Sequence, residues 1–191
     1  MVDSAAVVQQ IREEFPGFRI VYKDRSRLSL LIDWTLRCLT LGGQRHYLTR
    51  YHTVIGHTLY VPRAWDHTSE VERVILLRHE RVHLRQRRRL GFLPMAFVYL
   101  IPFFPLGLAY GRARLEWEAY TETLRATSEL LGLGAARSPE LRRKIVGRFT
   151  GPDYGWMWPF PGQVQSWYDQ TLEELEREAS APRAGSDRQP V

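Results

Sequence analysis

Cysteine is nearly absent from this chain of 191 residues, where Cys38 is the single copy. No intramolecular disulfide is available. That excludes a disulfide-stapled scaffold and suits a reducing compartment. Lysine is almost as scarce: Lys23 and Lys144 stand alone, so arginine carries nearly all the positive charge behind the net +6. This bias is compositional and does not by itself argue for phosphate recognition. The N-terminus lacks a charged stretch followed by an apolar one, so no ordinary secretory signal is expected. The expected location is cytoplasmic, with or without membrane association. No repeat of fixed period is visible. Residues 1–180 are expected to form one domain, with a sizeable core. Residues 181–191 are small, polar and proline-containing, and are expected to be disordered.

Against these absences stands one pentapeptide, His79-Glu80-Arg81-Val82-His83, of the form HExxH. Histidines four apart on a helix are rotated by about 40° and lie about 6 Å apart along the axis, so both imidazoles reach one tetrahedral Zn²⁺. Glu80 then sits beside the metal rather than on it, placed to take a proton from a metal-held water. The plain alternative is an amphipathic helix that happens to carry two histidines. The surroundings favour the site. Ser69 and Glu72 fit a capping box, and neither Gly nor Pro occurs from there to Arg88. Leu76, His79, His83 and Gln86 share one face. Val71, Ile75 and Val82 flank it, and Val74, Leu77 and Leu84 cover much of the rest. A helix so apolar runs through a core, where a histidine needs a hydrogen-bond partner or a metal.

Two imidazoles leave a zinc site short of protein ligands, and no further histidine follows His83 at metzincin spacing. The best candidate for the third ligand lies in a second helical pattern, Leu115 to Gly132. On its wheel Glu116 shares a face with Ala119, Tyr120, Thr123, Thr127 and Leu130. Glu118 shares the opposite, solvated face with Arg125 and Glu129. Glu116 therefore points inward. A surface carboxylate near a helix start, favoured by the helix dipole, is the competing account.

HExxH followed by a helix bearing Glu-x-x-Ala resembles the gluzincin metallopeptidases, including the minigluzincins and the membrane-embedded CAAX-processing type. The similarity covers about residues 46–132. It implies a small zincin-like α+β fold, mainly helical, with a sheet over the HExxH helix. It also implies His79, His83 and Glu116 as zinc ligands and Glu80 as general base. The membrane members often carry Asp where this chain has Tyr120. An edge strand that pairs with extended peptide is a further implication, and Thr53 to Val61 is the candidate stretch. A plain structural hairpin, Tyr47 to Pro62, is the alternative. The activity implied is a zinc-dependent peptidase acting on a peptide or protein substrate. A donor for the oxyanion would come from Tyr120, Tyr154 or His57.

The remaining layout is a helix from Ser4 to Phe15, a strand from Phe18 to Tyr22 and a helix from Ser26 to Leu41. A basic helix opens at Ser138-Pro139-Glu140, an aromatic loop runs from Tyr154 to Pro161, and a last helix from Gln163 to Ser180. Charge is missing altogether from Leu90 to Gly111. A run near 20 residues is long enough to span a bilayer once, but a single crossing would part His83 from Glu116. Three readings stay open: a buried fold-back, a re-entrant or interfacial contact with anionic lipid, or a true span without the zinc site. A basic nucleic-acid or anionic-membrane module, or a zinc protein without catalysis, are the other functional readings.

Overall fold

The computed structural model describes residues 2–39, 49, 52–91, 93–95, 98, 109–151 and 157–181. Its contacts gather into two compact units, Met1–Phe97 and Val98–Val191. Mostly helical with one small sheet, the chain has the α+β character expected of it.

The first unit opens with α1 (Ser4–Glu14), capped by Asp3, whose carboxylate accepts from the Ala5 N–H at 2.8 Å. Strand β1 (Arg19–Tyr22) follows, then a short 3₁₀ turn and α2 (Arg27–Leu39). Strands β2 (Thr53–Ile55) and β3 (Thr58–Val61) form a hairpin around Gly56-His57, with Gly56 at φ 66° as the turn requires. The sheet order is β1-β3-β2, with β1 parallel and β2 antiparallel to β3. This changes one expectation. Thr58 to Val61 is central and paired on both sides, so only Thr53 to Ile55 of the expected stretch lies at an edge. All four β3 residues are buried rather than alternating, because both faces of the strand are covered.

The HExxH helix, α3 (Glu70–Leu90), lies against this sheet. Leu77 and Leu84 of α3, Leu59 and Val61 of β3, and Ile11 of α1 share one core with Phe15, Phe18 and Trp65. Each fully buried Leu or Val there contributes on the order of 1.5–3 kcal/mol relative to exposure.

The second unit is helical: α4 (Ala109–Leu131), a single turn α5 (Leu133–Ala136), α6 (Pro139–Thr150) and α7 (Pro161–Ser180). Its core joins Trp117 and Leu124 of α4 to Ile145 and Phe149 of α6 and to Trp167, Tyr168 and Leu172 of α7. The Tyr168 hydroxyl donates to the Ala136 carbonyl at 2.5 Å. Burial pushes that phenol up to about 12. α4 begins at Ala109, earlier than its charged pattern suggests, so the end of the uncharged run is helical. Most of Leu90 to Gly111 lies outside the described residues, as do Tyr154 and residues 182–191. Among the described residues no helix is long and apolar enough to cross a membrane.

Candidate metal centre

The site starts from the way α3 is anchored. Ser69 is its N-cap: the hydroxyl accepts from the Glu72 N–H at 3.3 Å, and Glu72 accepts from the Ser69 N–H at 3.1 Å. Glu70 and Glu72 lie in the first turn and Arg87, Arg88 and Arg89 in the last, both favourable to the helix dipole. Gly91, at φ 84°, ends the helix. The capping box fixes the register, so the two histidines fall one turn apart in mid-helix.

His79 is 8% exposed and Glu80 7%, while His83 is half-buried. The two rings stand nearly edge to face, centroids 4.9 Å apart, with Nε2 of His79 and Nε2 of His83 at 3.2 Å. Two nitrogens on one tetrahedral zinc, each at about 2.0–2.1 Å, are separated by about 3.3 Å. The observed separation therefore fits a shared cation. It also suits an Nε2–H to Nε2 hydrogen bond between neutral rings, and metal content distinguishes the two.

Gln86 favours the ligand geometry. It is buried, and its side-chain oxygen lies 2.9 Å from His83 Nδ1. With that oxygen accepting, Nδ1 carries the ring proton and Nε2 keeps its lone pair for a metal. Orientation of a ligating histidine through its other nitrogen is the usual arrangement at metal sites. The sequence wheel places Gln86 on the histidine face without giving it a role. Its spacing of three from His83 is the signal that could have supplied one.

Glu80 is accompanied by a residue the sequence does not single out. Lys23 is 0% exposed, its ammonium donates to Thr53 Oγ1 at 3.0 Å, and it interacts electrostatically with Glu80 and Asp33. Burial lowers its pKa to about 8, against the pull of both carboxylates.

The other candidates are placed differently. In the second unit Glu116 is 3% exposed, turned inward as expected, while Glu118 is half-buried rather than fully solvated. The Tyr120 ring packs on Phe149, centroids 5.5 Å apart, beside that unit's core. His57 is exposed and lies over Phe15, lining a pocket with Leu84, Arg87 and Arg88.

No family model, curated protein or solved structure matches this chain. The functional reading rests on its own residues.

Proposed function

We propose that this protein is a small zinc metallopeptidase of gluzincin type, with a zincin-like fold. The observation that carries the proposal is the His79–His83 pair on a capped, buried helix, its Nε2 atoms 3.2 Å apart, with Glu80 buried beside it. Glu116 completes the donor set as third ligand. Two imidazoles and a carboxylate, one ligand atom from each, are a chemically competent set for a divalent ion. Such a set leaves a position for water or substrate. A bound zinc ion would supply Lewis acidity, polarising a peptide carbonyl and making water nucleophilic near neutral pH.

The chain's own residues do the rest. His79 and His83 hold the metal, with Gln86 fixing the His83 ring. Glu80 accepts the proton of the attacking water and passes it to the leaving amine. Tyr120 is the described candidate for an oxyanion donor. Tyr154 keeps the same candidate role from the sequence. The edge strand Thr53–Ile55 is suited to pair with an extended peptide substrate.

The test is metal analysis of the purified chain, followed by hydrolysis of fluorescently labelled casein with and without chelator. One equivalent of zinc and chelator-sensitive cleavage are expected. Glu80→Gln retains zinc and loses cleavage, because an amide cannot take the water proton. Full turnover in that variant removes Glu80 from the mechanism.

A second reading, compatible with the first, is attachment to an anionic membrane surface. α2 favours it. Leu30, Leu31 and Trp34 are exposed on one face with Arg27, and Trp34 is 64% exposed. Tryptophan and arginine beside apolar side chains suit a lipid headgroup boundary.

A further inference from the structure

We propose that Lys23 is a positioning residue for Glu80, a buried counter-charge tethered by Thr53 that fixes the Glu80 carboxylate from the sheet side of α3. The kinetic part of this proposal rests on the peptidase reading above; the electrostatic part does not.

Three observations carry it. First, Lys23 is wholly buried immediately after β1, where a lysine side chain has every reason to reach solvent. Second, its ammonium is tied to Thr53 Oγ1 on β2, a strand that packs on α3. The cation is carried by the turn after β1 and tethered to β2. Third, the elements around it supply a polar lining. Ser26, just before α2, and Ser29 and Asp33 of α2 are buried, and α3 buries Glu80. The charged groups facing Lys23 are thus Asp33 from α2 and Glu80 from α3.

An unpaired ion in such a place is costly, and removing one partner of a buried pair leaves the other uncompensated. One cation placed with two carboxylates lowers that cost and gives each carboxylate a preferred direction. A flexible three-bond side chain such as Glu80 gains most from that direction when it must hold one rotamer beside a metal-held water. Asp33 serves the same end from the other side, because its charge keeps Lys23 from being drawn wholly to Glu80.

The test uses the full-length protein and exploits its two lysines. With lysine labelled at 13Cε and 15Nζ, Lys23 and exposed Lys144 give two side-chain signals. Lys23 is expected to titrate near about 8. In Glu80→Gln its midpoint falls further, because a charge that favours the ammonium is gone, while Lys144 does not move. An unchanged Lys23 midpoint in Glu80→Gln overturns the proposal, whether or not the protein cleaves anything. The second arm is kinetic, on labelled casein. Lys23→Met lowers kcat on the order of 10- to 100-fold with KM and zinc content retained, and Lys23→Arg recovers part of the loss. Native kcat in Lys23→Met overturns the positioning role. If the native chain hydrolyses nothing, the peptidase reading fails and the titration alone decides the counter-charge. If Lys23→Met does not fold, the Glu80→Gln titration still decides, since it leaves Lys23 in place.

Discussion

At the scale of single residues the ligand set makes separable predictions. Glu116→Ala lowers zinc occupancy, measured by elemental analysis, while Glu118→Ala leaves it intact; equal losses sink the assignment of Glu116. Gln86→Leu keeps the buried volume and removes the partner of His83 Nδ1. Zinc affinity, read by competition with a chelating dye, is expected to fall roughly 10- to 100-fold. Unchanged affinity would mean that packing alone orients the ring. The histidines and Glu80 were readable from the chain because their relation is local: a spacing of four on one helix. The face of Glu116 was readable for the same reason. Lys23 was not. It lies far from Glu80 in sequence, and a lysine after a strand looks like any surface cation until the partner elements are in place. His57 was placed in the hairpin turn by the sequence, but its packing beside Phe15 was not legible there, because Phe15 lies far off along the chain.

Among elements, one carboxylate gathers three arginines where α1 docks on α3. Glu14 accepts from Arg81 Nε at 2.6 Å, from Arg85 Nε and Nη2 at 2.8 Å, and from Arg88 Nη2 at 3.2 Å. Hydrogen bonding from Arg85 first, opposed by burial and reinforced by Arg81, holds its pKa at about 2 instead of 4.5. The folded value is depressed. This stabilisation is therefore complete above about 4.5 and is lost as pH falls through the range down to about 2. Glu14→Gln should cost on the order of 1–2 kcal/mol at neutral pH, since the arginines are partly exposed and screened. It should also flatten the decline in unfolding free energy between pH 5 and pH 3, measured in urea, by about half that amount, the rest being lost only below pH 3. A native-like decline in the variant would place the acid-sensitive contact elsewhere. The helix ends themselves were legible. Ser69 with Glu72, and Ser138 with Pro139, are caps whose chemistry lies within four residues. The sheet was less so: β1 joins β3 across a long stretch of chain, and no local pattern marks β3 as the centre.

For the whole molecule, the net charge of +6 and the outward face of α2 predict surface binding. The protein should pellet with phosphatidylserine vesicles more than with phosphatidylcholine vesicles, and salt should release it only in part. Replacing Leu31 and Trp34 together by Ala should abolish the salt-resistant fraction; its survival would remove α2 from the contact. α2 also has a consequence for how the first unit breathes. Most helices are fastened by oil, whereas the described side chains of this one turn serine and aspartate inward and leucine and tryptophan outward. Those described side chains gain little from expelling water off apolar surface, so opening at this face is expected to cost less than opening of the Leu77–Leu59 core. Because α2 shares Lys23 with Glu80 through Asp33, each such opening loosens the wall beside Glu80.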